Sequence, residues 1–289
     1  MTTWNPDEIA RLCSESGRIA LLHYDAPSTE YKNDNTVVTK ADRGIEGYLE
    51  GSFDAPESGS YLIGEETIET RGEEYVASAM KADAWVVDPI DGTILYANHL
   101  AGWGISIGFM TRGRLTEGAV YFPLTKELYF TDRGKAYLSV VEPTGADHAT
   151  ASQARSLMPP VNRAYSLGGI IAITQEIARS AATRVANPVF AGGSAVYPLT
   201  ELARSRMIGY IGHLKLWDFA GVLPILIAVG AQVSLDDGTP VTDVVDDSVY
   251  RVSERGAARW KTRGRLLVAT SPEVHDYLRK SAAASRTEG

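Results

Sequence analysis

Apolar residues at Ile9, Leu12, Ile19, Ala20 and Leu22 recur at mostly helical spacing behind Asn5-Pro6, so the chain is expected to open with a helix within residues 5–24. A polar stretch at Lys32 to Asn35 leads into Thr36 to Asp42. Beyond it, Ile45, Tyr48 and Leu49 predict a second helix reaching about Ser52. The pattern then changes: Tyr61-Leu62-Ile63 and Ala84-Trp85-Val86-Val87 are short apolar runs cut off by Gly64-Glu65-Glu66 and by Asp88-Pro89, the mark of buried strands ending in carboxylates. Residues 67–83 between them are polar and mixed, a helix or an excursion over the surface.

Apolar segments at 104–110, 117–122, 127–131 and 136–140 alternate with Arg112-Gly113, Pro123-Leu124-Thr125-Lys126 and Arg133-Gly134, which predicts an antiparallel meander. Residues 142–160 are rich in Pro, Ser, Thr and Ala and mark a lobe boundary. The expected division is an N-terminal α+β lobe over 1–145 and a C-terminal α/β lobe over 146–289, where strand-like and helix-like segments alternate. The most apolar stretch, Phe219 to Val233, contains Pro224 and is too short to span a bilayer, so it reads as a buried helix.

Composition changes this picture little: 289 residues, 44% hydrophobic and 22% charged, suit a globular chain large enough for two lobes without disulfides. The formal charge of -8 argues against a general nucleic-acid binder and suits a protein that takes up divalent cations. Cys13 has no second cysteine to pair with, and the polar segment Met1 to Glu8 has no basic region followed by an apolar run, so the expected compartment is the cytoplasm.

Candidate chemistry collects at the strand ends. A carboxylate there loses solvation and needs a compensating partner, and a divalent cation is a strong one. Glu65 and Glu66 end one strand, Asp88 and Asp91 another, and Asp218 immediately precedes the long apolar run. Oxygen-only ligands suit Mg²⁺ or Mn²⁺ and not zinc. Within Asp88-Pro89-Ile90-Asp91-Gly92-Thr93, proline forces a turn that lets both aspartates face one point, while Gly92 and Thr93 begin a helix whose N–H groups suit phosphate. Each piece alone is ordinary: Asp-Pro and Asp-Gly are turn signals, and an aspartate before a helix is a cap. Their joint appearance is what points to a site.

The segment WVVDPIDGT at 85–93 resembles the first signature of the inositol monophosphatase family of metal-dependent, lithium-sensitive phosphatases. The blocks VVTKAD at 37–42, IGEE at 63–66, GISIGF at 104–109, GAVYFP at 118–123, GGSA at 192–195 and WDFAG at 217–221 follow in order, so the resemblance spans nearly the whole chain. It implies a layered αβαβα sandwich and a site in the crevice between lobes. Glu65, Asp88 and the Ile90 carbonyl would hold a first Mg²⁺, and Asp88, Asp91 and Asp218 a second. Thr93, with Glu65, would position and deprotonate the attacking water, and the N–H groups of Gly92 and Thr93 would hold the phosphate. Glu66 would support the ligands and Asp42 would stand near a third ion. Gly193, Ser194, Ile211, His213 and Lys215 are the residues expected around the substrate. Li⁺ inhibition and a homodimer are further implications.

Two departures bear on the substrate. After the first signature the chain reads Ile94-Leu95-Tyr96, without the asparagine found in many inositol-phosphate enzymes, and Ile211 stands where inositol-specific members carry a glutamate. Loss of a hydroxyl-binding carboxylate weakens polyol recognition. The expected function is Mg²⁺-dependent hydrolysis of a small sugar, polyol or related phosphate monoester. The alternatives are a nucleotide-type phosphatase and a non-catalytic member that binds metal without turnover.

Overall fold

Asn5 caps the first helix, α1 (Pro6–Leu22): its Oδ1 accepts from Asp7 N at 3.0 Å and Glu8 N at 3.2 Å. This computed structural model describes residues 3–31, 37–145, 155–180 and 184–284. A two-stranded antiparallel ribbon, β1 (Thr29–Tyr31) and β2 (Val37–Thr39), leads to α2 (Lys40–Phe53), which starts earlier than the apolar spacing predicts. The reason is a capping box: Thr39 Oγ1 accepts from Asp42 N at 3.4 Å, and Asp42 Oδ2 accepts from Thr39 N at 2.8 Å.

The remaining elements of the first lobe are β3 (Ser60–Gly64), α3 (Glu73–Ala79), β4 (Asp83–Asp91), α4 (Thr93–Ala97), β5 (Gly104–Thr111), β6 (Arg114–Phe122), β7 (Glu127–Asp132) and β8 (Lys135–Val140). With β9 (Ser156–Leu157) they supply a seven-stranded sheet ordered β3-β4-β5-β6-β7-β8-β9, parallel only at β3-β4. The meander appears at the expected segments. The lobe boundary expected at 145/146 abuts residues 146–154, which lie outside the described residues, and β9, expected in the second lobe, joins the large sheet beside β8.

The second lobe contains β10 (Ile171–Ile173), α5 (Gln175–Ser180), β11 (Val189–Phe190), α6 (Val196–Ala203), β12 (Gly209–Gly212), α7 (Leu216–Ala220), α8 (Leu223–Ala228), β13 (Gln232–Leu235), β14 (Leu266–Ala269) and α9 (Pro272–Ala284). Its five-stranded sheet is ordered β11-β10-β12-β14-β13, with β10, β11 and β12 parallel. The single helix expected over Phe219 to Val233 is two short helices and the start of a strand. Pro224 near the start of α8 has no N–H to continue the helix before it, and Gly221 is pressed against the large sheet.

Three apolar clusters lie between these layers. Trp85, Phe53 and Leu49 belong to the cluster between α1/α2 and the large sheet, with Trp85 stacked on Phe53 at 4.1 Å. Leu199, Phe219, Leu226 and Tyr210 belong to the cluster between the sheets. Ile173, Ile211 and Leu278 belong to the cluster under α9. The order helices, sheet, helices, sheet, helix is the αβαβα sandwich expected.

Candidate active site

The expected end of β4 at Asp88-Pro89 is instead a bulge. Asp88 pairs with Ser106 and Asp91 with Gly104, so three steps on β4 match two on β5. Residues three apart on a regular strand point to opposite faces, and one extra residue cancels that alternation. Pro89, which has no N–H to give the ladder, falls within the bulge. Ile90 N donates to Asp88 Oδ1 at 3.1 Å and steadies the turn.

Asp218 arrives from the other lobe on α7. That helix lies directly on β4 and β5, and Gly221 just past its end touches β6: a Cβ at Gly221 would sit 2.5 Å from Ala119 O and 2.6 Å from Ser106 Oγ, and one at Gly108 would sit 2.7 Å from Ala220 Cβ. Glycines at 108 and 221 therefore permit the approach. Ser106 Oγ donates to Trp217 O at 3.0 Å, and Lys215 N donates to Asp218 Oδ2 at 2.8 Å.

The outcome is one acidic group. Among the described residues, carboxylate oxygens of Asp88, Asp91 and Asp218 all lie within 4.8 Å of one another. Burial pushes Asp88 well above the usual carboxylate range, with the charges of Glu65, Asp91 and Asp218 adding to it. Burial also raises Asp91 to about 6, against hydrogen bonds from Ser194, Ala195 and Val196, and raises Asp218 to about 8, with Asp91 and Glu65 contributing. Three crowded carboxylates, Asp88 and Asp91 buried and Asp218 half-buried, call for positive charge between them, and an all-oxygen donor set fits a hard divalent cation such as Mg²⁺.

Glu65 stands outside that 4.8 Å group, yet its charge is the largest neighbouring contribution raising Asp88. Its backbone N donates to Val87 O at 3.1 Å, tying it to the end of β4. Thr93 Oγ1 donates to Ile90 O at 3.0 Å and lies 3.4 Å from Asp42 Oδ1. Asp42 is buried and raised to about 7, chiefly by desolvation, with Thr39 opposing and Glu66 and Glu65 adding. Gly92, at φ 88°, ψ 38°, caps α4, and its N–H and that of Thr93 stand at the helix start, where no intrahelical acceptor exists.

Two expectations about the pocket change. Ile211 does not face the crevice: it is 0% exposed and packs with Leu267, Val274 and Leu278 under α9. Alternation along β12 instead turns Tyr210 toward the inner layer, where Asp218 and Asp91 raise its hydroxyl pKa further after burial. Ser194 is turned to the aspartates. Its Oγ donates to Asp91 Oδ2, while Ala195 N and Val196 N donate to the same oxygen at 2.9 Å each. Gly193, at φ 86°, lies against Ile94, a Cβ there falling 3.0 Å from Ile94 Cγ2. His213 Nδ1 lies 3.5 Å from Glu176 Oε1, and Lys215 Nζ 5.1 Å from the Trp217 ring.

Glu46 belongs to the site although no motif in the sequence marks it. It is 1% exposed, and its Oε2 accepts from Glu66 N at 2.9 Å, so it fixes the backbone that carries Glu65 and Glu66. A Cβ at Gly64 would fall 2.5 Å from Glu46 Cδ, which explains the glycine before the glutamates. The available signal is its position one helical turn after Asp42, on the buried face of α2.

A five-layer fold that brings carboxylates from elements of both sheets into one largely buried group is the architecture of a metal-dependent phosphatase. The chain belongs to the inositol monophosphatase family, whose sequence model matches residues 9–277. An inositol-1-monophosphatase of Bacillus subtilis (strain 168) is 27% identical over 256 residues, covering 86% of this chain and 92% of that one. A 3′(2′),5′-bisphosphate nucleotidase of Salmonella typhimurium is 24% identical over 243 residues, covering 78% and 89%. An IMPase structure from Thermotoga maritima superposes with a TM-score of 0.71 over 97% of each chain at 17% identity, a likeness of fold. The chain is accordingly a phosphoric monoester hydrolase. No helix among the described residues is long and apolar enough to cross a membrane.

Proposed function

We propose that the chain releases inorganic phosphate from small phosphate monoesters of alcohols, sugars or nucleosides in a Mg²⁺-dependent reaction, by direct attack of water. The observation that carries this reading is the Asp88, Asp91 and Asp218 group, the first two buried and Asp218 half-buried, drawn from elements of both sheets. These three would hold one Mg²⁺, and Glu65, Asp88 and the Ile90 carbonyl another, with Asp42 beside a third position and Glu66 in support. Bound there, the ions would neutralise the ester dianion, acidify water and stabilise the leaving alkoxide.

The chain's own groups do the positioning. Thr93 Oγ1 donates its hydrogen bond to Ile90 O, so its lone pairs can accept a hydrogen bond from the attacking water and orient it. Glu65, whose charge reaches Asp88 and whose backbone is tied to β4 by the bond of its N–H to Val87 O, would receive the proton of that water. The first N–H groups of α4 would hold the phosphoryl oxygens. A covalent nucleophile is not needed when positioning and charge supply the rate.

The test is phosphate release from p-nitrophenyl, inositol, sugar, histidinol and nucleotide phosphates, with Mg²⁺, with EDTA and with added Li⁺. Mg²⁺-dependent turnover that EDTA removes and Li⁺ inhibits is the expected result. No release from any ester would overturn the reading and leave a non-catalytic family member. We place the protein in the cytoplasm as a homodimer, to be checked by fractionation and sedimentation.

A further inference from the structure

Between β13 and β14 the chain leaves the small sheet over residues 236–265 and then returns to it. On the way it is tied twice to elements of the large sheet's side. At the turn between β5 and β6, Leu115 N donates to Asp243 O at 2.7 Å and Val245 N to Gly113 O at 2.8 Å. At the start of α3, Arg259 holds both carboxylate oxygens of Glu73, at 2.8 and 3.0 Å.

The same segment braces the turn before α7. Thr262, 1% exposed, is bridged to Tyr250 on one side; on the other its N–H donates to Leu214 O at 2.8 Å and its Oγ1 accepts from Leu214 N at 3.3 Å, with Lys261 opposite Lys215. Lys215 N is the group that donates to Asp218 Oδ2 at 2.8 Å. A connected path of bonds therefore runs from Glu73 through Arg259 and Thr262 to Asp218. Tyr250 stands close behind it: the residue is fully buried, its hydroxyl has no hydrogen-bond partner among the described residues, and after burial the charge of Asp218 is what raises its pKa.

One residue on this path is strained. Trp260 has φ 68°, and among the described residues it is the one buried non-glycine residue with positive φ, the others being half-buried or exposed. A side chain this bulky stays in the left-handed region only where its surroundings over-determine it, and such residues gather at functional sites. Here its N–H donates to Arg251 O at 3.1 Å, its ring lies in the cluster between the sheets, and the Arg259 guanidinium stands 5.2 Å from the ring centre. The kink at Trp260 lets Arg259 face Glu73 while the next two residues pair with Leu214 and Lys215.

We propose that residues 249–263 are the positioning element of Asp218: Thr262, held by the kink at Trp260 and by Arg259 on Glu73, fixes the turn before α7 and thereby sets how tightly the site binds Mg²⁺. The inference rests on the reading of Asp218 as a Mg²⁺ ligand of a phosphatase. Thr262 acts through the backbone of Leu214 and Lys215 and touches neither metal nor substrate.

The experiment uses the full chain, natural and as Thr262→Val, Thr262→Ser and Arg259→Met, with Ile9→Val in the buried face of α1 as a destabilised control far from the segment. Mg²⁺ affinity is measured by calorimetry, half-saturating Mg²⁺ and kcat by release from p-nitrophenyl phosphate, and the metal-free midpoint by urea. Thr262→Val should weaken Mg²⁺ about tenfold in both binding readings, the effect of leaving a buried N–H unpaired, with kcat at saturating Mg²⁺ within about twofold of natural. Thr262→Ser should restore the natural affinity, Arg259→Met should weaken it about threefold, as suits a partly exposed pair, and Ile9→Val should lower the midpoint alone. A lower midpoint with unchanged Mg²⁺ affinity in Thr262→Val would make the segment merely structural and overturn the proposal; should that variant not fold, Arg259→Met decides by the same readings. A fall in kcat that saturating Mg²⁺ does not recover would also overturn it. Mg²⁺ binding that responds to these variants without release of phosphate from any ester would overturn the phosphatase reading and leave Asp218's positioning standing, and no Mg²⁺ binding by the natural chain would overturn both.

Discussion

Glu46 is buried, 1% exposed, and desolvation raises its carboxyl from 4.5 to about 7, with Glu66 and Glu65 adding and Thr67 and the Glu66 N–H opposing. A carboxyl whose pKa is raised by folding contributes stability that is fully present below its unfolded value and lost as pH rises through the folded one. For Glu46 the window runs from about pH 4.5 to about pH 7, and the whole loss is about 3 kcal/mol at 1.36 kcal/mol per pH unit. Glu46→Gln has the shape of the protonated side chain and cannot ionise. Its carbonyl can keep the bond from Glu66 N, and its NH₂ would stand on the side of the Thr67 hydroxyl.

The expected result, in EDTA, is a variant whose stability relative to the natural chain grows by about 2–3 kcal/mol between pH 5 and pH 8. That corresponds to roughly 4–12 °C in the midpoint of thermal unfolding. The other raised carboxylates titrate in both proteins and cancel in the comparison. Urea unfolding at the two pH values measures the same difference free of temperature. A stability difference that stays constant across this range would show that Glu46 is already ionised in the fold and would refute the reasoning. Phosphate release should survive in Glu46→Gln and fall in Glu46→Ala, which frees the backbone of Glu66.

Asp91→Asn should lower Mg²⁺-dependent phosphate release on the order of 10³-fold while raising the metal-free midpoint, because one of three crowded carboxylates becomes neutral; undiminished turnover would remove Asp91 from the chemistry. Gly221→Ala places a Cβ 2.5 Å from Ala119 O, so urea denaturation should show a loss of about 1–3 kcal/mol together with weaker Mg²⁺ binding by calorimetry as α7 is pushed off the sheet; a natural midpoint and affinity would mean that the close approach is dispensable. Cys13 is buried with its thiol pKa raised by desolvation, so a thiol reagent should label it only across the unfolding transition, and rapid labelling of the folded chain would contradict that packing.

How much of the molecule is legible in its sequence follows from the range over which each residue makes its contacts. Strands β3 to β8 show as apolar runs because each lies in one sheet layer, and Asn5 shows as a cap because its partners are two and three residues away. Asp88, Asp91 and Asp218 are legible as carboxylates at element ends, and Pro89 predicts that the first two face one point, but through a turn; the cause is a bulge, a property of pairing with β5 that periodicity along β4 does not register. Ser194 reads as a substrate contact because its block gives no hint that it reaches back 103 positions to Asp91. Ile211 misleads for a simpler reason, since a one-residue alternation on β12 decides between core and crevice.

The contacts hidden from the sequence are therefore those that join the lobes, and this has a thermodynamic consequence. Asp91 from β4 is held by Ser194, Ala195 and Val196 of the second lobe, while Asp218 from the second lobe is set by glycines and Ser106 of the first. Each lobe thus completes the other's ligand. In metal-free protein these contacts bring like charges together, and the protons held by Asp91 and Asp218 are what relieve the repulsion as far as about pH 6 and about pH 8. Above that range a divalent cation has to supply the relief, so the stabilisation by Mg²⁺, read as the rise in unfolding midpoint over EDTA, should increase from pH 5 to pH 8.5 and not stay level. A rise that is the same at both ends would mean the carboxylates are ionised and separated without metal, and the 4.8 Å group would then not be the resting arrangement.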